Sequence, residues 1–231
     1  VMAAHGTEFE ELAQRYGRLL RYSASVGGSL PAIESIRRIS ALAPVSVIEG
    51  VLNGTCNFVL DHLASGWTLE DAVCEAQRLG YAENDPMQDL NGQDSAEKLR
   101  ILARIAFGVN LTESDVSLTG ISDITTDDAT NARNHGQEIR LIARCVKSLD
   151  RCTATVSPRH LESNDHLATV RGANNMLRLV LEGGETIIIT GKGAGRWPTS
   201  ESVFADIMDI YRYRVTLPSS VGSGAERQSH M

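Results

Sequence analysis

GYAENDPMQDLNGQDSAEK, Gly80 to Lys98, runs directly into LRILARIAF over residues 99–107. From Gln93 onward the stretch is a helix-forming run, and its apolar residues decide how it must be packed. On a wheel advancing ~100° per residue, Glu97, Arg100 and Arg104 form one polar stripe, expected to face solvent. Asp94 and Lys98 lie off that stripe, one turn apart, on a face continued by Ile101 and Ile105. Leu99, Ala103 and Ala106 take the opposite side. Apolar residues on both flanks imply a helix largely buried in a layered domain.

Outward from that helix, the first half of the chain reads as mostly helical. Thr7-Glu8-Phe9-Glu10 has capping-box spacing and predicts a helix ending at Gly17. Leu19 to Val26 predicts a strand, Pro31 suits the first turn of a helix carrying Ile33, Ile36 and Ile39, and Val45 to Val51 alternates like a strand. Asn53-Gly54-Thr55 turns into a helix through Leu63, and Trp67-Thr68 opens another that closes at Gly80. Strands are predicted over Ser117–Ile124, Arg151–Val156, Ala168–Val170, Leu177–Leu181 and Thr186–Thr190, with a helix near Asp127–His135 and a last one from Thr199 to about Tyr211. Helices lead and strands follow. The expected class is α+β, a mixed β-sheet with helices packed on one face.

Composition narrows the function. With 42% hydrophobic and 22% charged residues, the 231-residue chain can build a substantial core. A net charge of −7 without a basic block argues against nucleic acid or an anionic membrane as partner. No apolar run approaches the ~20 residues of a membrane-spanning helix. Cys56, Cys74, Cys145 and Cys152 are scattered without C-x-x-C or histidines at ligand spacing, and read as free thiols in a reducing cytoplasm.

Five carboxylates (Glu83, Asp85, Asp89, Asp94, Glu97) precede Lys98. They could be a solvated loop, a cation site, or a pocket for an amino group. Their spacing does not match the calcium loop D-x-[DN]-x-[DN]-G. Converging carboxylates suit the three N–H donors of an ammonium better. Asp94 and Lys98 are either an ordinary i,i+4 pair worth ~0.3–0.5 kcal/mol or a desolvated pair able to move a proton.

With YSASVGGSLP (Tyr22–Pro31), EGVLNGTCNFVL (Glu49–Leu60) and GKGAGRWPTSESVFADI (Gly191–Ile207) beside the acidic stretch, the chain resembles the homoserine dehydrogenase family from about Val1 to Arg214. The resemblance implies interconversion of aspartate semialdehyde and homoserine with NAD(P), on the route to threonine and methionine. Lys98 matches the family's catalytic lysine and Asp94 its paired aspartate. Gly54, Thr55, Tyr81, Glu83 and Asp89 match substrate-contacting positions. Gly193, Ala194 and Gly195 would lie beside the nicotinamide or substrate. Hydride reaches the aldehyde carbon, the developing alkoxide needs the cation or proton donor Lys98 provides, and Glu83 and Asp89 would receive the α-ammonium.

The resemblance also implies an organisation: 1–21 and 188–214 as remnants of a nucleotide-binding domain, 22–187 as the substrate-binding and dimerisation domain, and 215–231 as a disordered tail. A homodimer is the expected assembly. Two departures stand out. No G-x-G-x-x-G precedes a helix, and Val1 lies just beyond the family's Asn-Lys dipeptide, so the chain is expected to be a truncated core, inactive alone. Ser23 stands where the family usually has a glutamate, which together with carbonyls matching Val26, Gly28 and Leu30 surrounds a monovalent cation. Serine brings no charge, which weakens that site. The rival readings are a non-enzymatic amino-acid-binding module and a dimerising structural fragment.

Overall fold

The computed structural model describes residues 1–149, 151–193 and 195–216. In chain order the elements are α1 (Met2–Arg15), α2 (Ala32–Ser40), β1 (Val45–Val51), α3 (Gly54–Leu63), α4 (Leu69–Arg78), the single turn α5 (Met87–Leu90) and α6 (Gln93–Phe107). Then follow β2 (Val116–Leu118), α7 (Thr126–Asn134), β3 (Gln137–Ser148), β4 (Arg151–Glu162), β5 (Asn174–Leu181), β6 (Thr186–Lys192) and α8 (Arg196–Thr216). Six strands make one sheet in the order β2-β4-β3-β1-β5-β6. Only β2 and β4 run parallel, so the sheet is mixed, as expected.

Helices α2, α3, α6 and α7 lie on one face, and the core between the layers contains Ile48, Leu52, Leu99, Leu102, Ala143, Cys145, Leu177 and Leu179, all fully buried. Each of the leucines and Ile48 contributes roughly 1.5–3 kcal/mol by leaving water. A smaller cluster of Val51, Ile142, Leu161, Leu167, Ala168 and Val170 forms where the segment after β4 folds back. Helix α6 has the expected bounds and is buried along Leu99, Ile101, Leu102 and Ala103.

Several local expectations are corrected. The stripe Arg100–Arg104 is not wet, because α1 lies across it. Arg100 donates to the carbonyls of Leu111 (2.8 Å) and Ala3 (3.1 Å), and Arg104 to that of Met2 (3.0 Å). Gly6 permits the crossing, since a Cβ there would stand 2.0 Å from the Arg104 guanidinium. Thr7 does not cap α1, which is already helical from Met2. Its hydroxyl donates to Asn110 Oδ1 instead (2.6 Å). The strand expected over Leu19–Val26 is a 3-10 turn at Ser23–Ser25, held by side chains, with Ser23 N–H donating to Asp206 (2.9 Å).

In the second half, Ser117–Ile124 yields strand only over Val116–Leu118, after which Ile121 N–H donates to the Leu90 carbonyl (2.7 Å). Ala168–Val170 belongs to a 3-10 turn, His166–Thr169, capped by Asp165. Strand β3 had no counterpart in the sequence reading. Its Glu138, Arg140 and Arg144 alternate with Ile139, Leu141, Ala143 and Cys145, a strand pattern the reading passed over, and each charge finds an opposite one in the folded chain. Strand β4 continues past Val156 through Pro158 to Glu162. At Pro158 its outer side has no neighbouring strand, because β2 covers only Ala154–Val156, so the missing N–H costs no ladder bond. Strand β6 runs unbroken to Lys192, across residues 187 and 188. From 217 on, the expected tail lies outside the described residues.

Candidate functional site

Three segments meet at one end of α6. The β1–α3 turn brings Asn53, Gly54 and Thr55. The α4–α5 loop and α5 bring Tyr81, Glu83, Asp85, Gln88 and Asp89. The first turns of α6 bring Asp94 and Lys98. With Gly193, just past β6, they line a cavity of about 260 Å³. All seven residues read as catalytic or substrate-binding therefore come together. Gly193 joins them, Gly195 does not line the cavity, and Ala194 lies outside the described residues. Among the described residues, four larger clefts, of about 670, 600, 470 and 300 Å³, lie elsewhere, the two largest beside β5–β6 and between α2 and α8. Size does not select among the five; none of the larger clefts contains a lysine held by a carboxylate.

Lys98 is held at two points. Its Nζ donates to Asp94 Oδ2 (2.7 Å) and to the Leu52 carbonyl (3.0 Å). With side-chain exposures of 15% for Lys98 and 32% for Asp94, this is a half-buried pair rather than a mobile surface one. Two of the three ammonium N–H donors are thus fixed by the protein.

The acids differ in setting. Asp89 is half-buried, and burial pushes its carboxyl above the usual range. Nearby Asp94 pushes the same way, while a hydrogen bond from Asn53 and the charge of Lys98 pull it down. Glu83 is exposed at the rim, and Asp85 is spent on capping Met87 N–H (3.1 Å). Asn53 caps α3, leaving the Thr55 hydroxyl to donate to the Tyr81 carbonyl (2.7 Å) and tie the acidic loop to α3. Cys56 sits behind the cavity with its thiol on the Asp89 carbonyl (3.0 Å). Burial, and then Asp89 and Asp94, push its pKa far up, so it is no nucleophile.

Two asparagines escaped the sequence reading. Asn175, 1% exposed at the start of β5, donates to the Leu52 carbonyl (2.9 Å), the same oxygen that anchors Lys98. It also explains Gly193, where a Cβ would lie 2.3 Å from Asn175 Oδ1, so the backbone there must be bare. Nothing local marks Asn175, since its partner is 123 residues away. Asn53 was legible as a turn residue, but its contacts to Asp89 and Asp94 were not.

Around the carbonyls read as cation ligands, that of Gly28 accepts the Ser202 hydroxyl and that of Leu30 the Ala32 N–H (2.7 Å). Ser23 hydroxyl bonds Glu34 and Asp206 (2.5 Å to the latter). Among the described residues, no group of three or more His, Cys, Asp or Glu could hold a metal ion.

A sequence model of the family described as homoserine dehydrogenase matches residues 31–208, which takes in every residue lining the Lys98 cavity but not Ser23, Val26, Gly28 or Leu30. The chain belongs to the homoserine dehydrogenase family. It is 37% identical over 213 residues to the NAD(+)-dependent homoserine dehydrogenase of Pseudomonas canavaninivorans, covering 91% of this chain and 60% of that protein. The crystal structure of a homoserine dehydrogenase from Thiobacillus denitrificans superposes with a TM-score of 0.88 at 33% identity, over 96% of this chain and 52% of that one. A hyperthermophilic archaeal homoserine dehydrogenase mutant in complex with NADPH superposes at 0.78 with 27% identity, over 95% and 63%. The chain spans about half the length of the curated relatives it matches, 49 to 60% among the most similar. Those family members share the sheet and helix layer that position Lys98.

Proposed function

We propose that the protein containing this chain interconverts L-aspartate 4-semialdehyde and L-homoserine with NAD(P)H, in the cytoplasm, as a step of threonine and methionine biosynthesis. The observation that carries the reading is Lys98, fixed between Asp94 and the Leu52 carbonyl in a cavity with Glu83 and Asp89 on its walls. Two held donors aim the ammonium and leave its third N–H for the substrate oxygen. There it would stabilise the charge that develops as the carbonyl becomes an alkoxide. Asp94 keeps the lysine oriented. Glu83 and Asp89 would take the α-ammonium, whose charge would also draw the raised pKa of Asp89 back down.

When bound, the nicotinamide supplies or accepts the hydride. Gly193 would lie beside the ring, since it lines the same cavity as Lys98, and Gly195, at φ +121°, allows the turn that follows. The NAD(+)-dependent and NADPH-bound relatives support NAD(P) as the cofactor class. A monovalent cation at Val26, Gly28 and Leu30 is the weaker part of the reading, because Ser23 brings no charge and Ser202 already occupies the Gly28 carbonyl.

In this reading 22–187 binds substrate and forms the dimer, while 1–21 and 188–214 belong with a nucleotide-binding domain. Apolar residues left open on α1 (Phe9, Leu12, Tyr16) and α8 (Trp197, Phe204, Ile207, Tyr211) support the second part. Among the described residues no helix is long and apolar enough to cross a membrane. The assembly is a symmetric dimer that covers the sheet face lacking the helix layer, where Val47, Val180 and Ile188 line an open depression of about 470 Å³. Light scattering at micromolar concentration should give twice the chain mass, and a clean monomer would contradict it.

Nicotinamide-dependent turnover of homoserine by the whole protein tests the function, and saturable homoserine binding without turnover would make it a binding module instead. Glu83→Gln should raise KM roughly tenfold, about 1.4 kcal/mol, with kcat little changed, because an ammonium contact is similar in ground and transition states. A large kcat loss with unchanged KM would remove Glu83 from the amino-group site.

A further inference from the structure

Asn53 occupies a position that substrate contact does not require. It is 4% exposed in the β1–α3 turn, and both ends of its amide are used. Oδ1 accepts the Cys56 N–H (2.8 Å), which settles which end is oxygen and directs the NH2 group toward the acids. Nδ2 donates to Asp89 Oδ1 (2.6 Å) and to Asp94 Oδ2 (2.8 Å). The group has two hydrogens, so each carboxylate receives one. Asp89 belongs to α5 and Asp94 to α6, and two neighbouring carboxylates repel unless donors stand between them.

We propose that Asn53 is a positioning residue that clamps Asp89 and Asp94 in fixed relative orientation, so that one carboxylate faces the amino group of the substrate while the other stays on Lys98. The proposal rests on the reaction proposed above. The helix cap stiffens the clamp, because turning Asn53 away would leave the Cys56 N–H without its acceptor. Groups around Asp89 are Asn53, Thr55 and the Cys56 thiol from the β1–α3 side, Asp94 and Lys98 from α6, and Glu83 and Asp85 on the same cavity wall. Burial is the largest influence raising the Asp89 pKa, and the Asn53 hydrogen bond is the leading one opposing it. Losing that donor disfavours the ionised form, so the Asp89 titration moves to higher pH.

Asn53→Ser separates the clamp from the cap. Serine still caps a helix but is too short to reach both acids. Asn53→Asp keeps the shape and the cap while placing a third carboxylate between the other two. In this 231-residue chain, Asp89 followed by carboxyl-carbon NMR should titrate at higher pH in Asn53→Ser, and higher still in Asn53→Asp, with the Asn53→Ser melting temperature close to wild type. In the whole protein, Asn53→Ser should lose kcat/KM for homoserine on the order of 10²-fold, with the acid limb of its pH profile moved upward. An unmoved Asp89 titration would overturn the clamp, as would a loss of turnover matched by a loss of melting temperature with the acid limb in place. If wild type does not turn over homoserine but the titration still moves, the reaction assignment fails and the clamp stands.

Discussion

Lys98→Ala in the whole protein should lower kcat about 10²–10⁴-fold and kcat/KM by the same factor, while the urea midpoint changes little. An interaction made mainly in the transition state has that signature. The fold should survive because Asp94 keeps its hydrogen bond from Asn53 (2.8 Å) and α6 stays anchored by Leu99, Leu102 and Ala103. The matching control is Glu97→Ala, one residue away and exposed, which should leave both constants near wild type. Arg100, on the stripe expected to be wet, cannot serve, since it holds the Leu111 and Ala3 carbonyls. Were Lys98→Ala as mild as Glu97→Ala, Asp94–Lys98 would be an ordinary helix pair and the site would lie elsewhere.

Arg140→Ala should cost about 3–5 kcal/mol of stability, a large part of the 5–15 kcal/mol typical of a folded domain. Arg140 is fully buried on β3. Its Nη2 donates to Asp61 Oδ1 (2.8 Å) and lies 3.7 Å from Glu138, and its Nη1 bonds the Ile139 carbonyl (3.0 Å). Burial depresses its pKa, and Asp61 opposes that shift. Removing the guanidinium leaves two carboxylates short of a counter-charge in a dry place, with only Gly172 N–H, Arg171 and Arg133 to share them. Urea unfolding of the 231-residue chain measures the loss. Arg140→Met, which refills the volume but not the charge, should be almost as destabilising. An unchanged midpoint in both variants would show that water reaches the pair.

Much was decided by sequence alone, and the legible part is local. The bounds of α6, the turn into α3 at Asn53 and the start of α4 at Thr68, the i,i+4 relation of Asp94 and Lys98, and the class of the fold all follow from spacing, because helical geometry is set within a few residues. Tertiary structure decided what those local units face. Only the packing of α1 through Gly6 turned the Arg100–Arg104 stripe inward. Only the fold brings Arg140 and Arg144 of β3 to Asp61 and Glu49, 79 and 95 residues before them. Asn175 meets Leu52 across 123 residues, and Asn53 meets Asp89 and Asp94 across 36 and 41. A buried polar group is affordable only where a partner completes it, and here the chain names those partners far from the residues they complete.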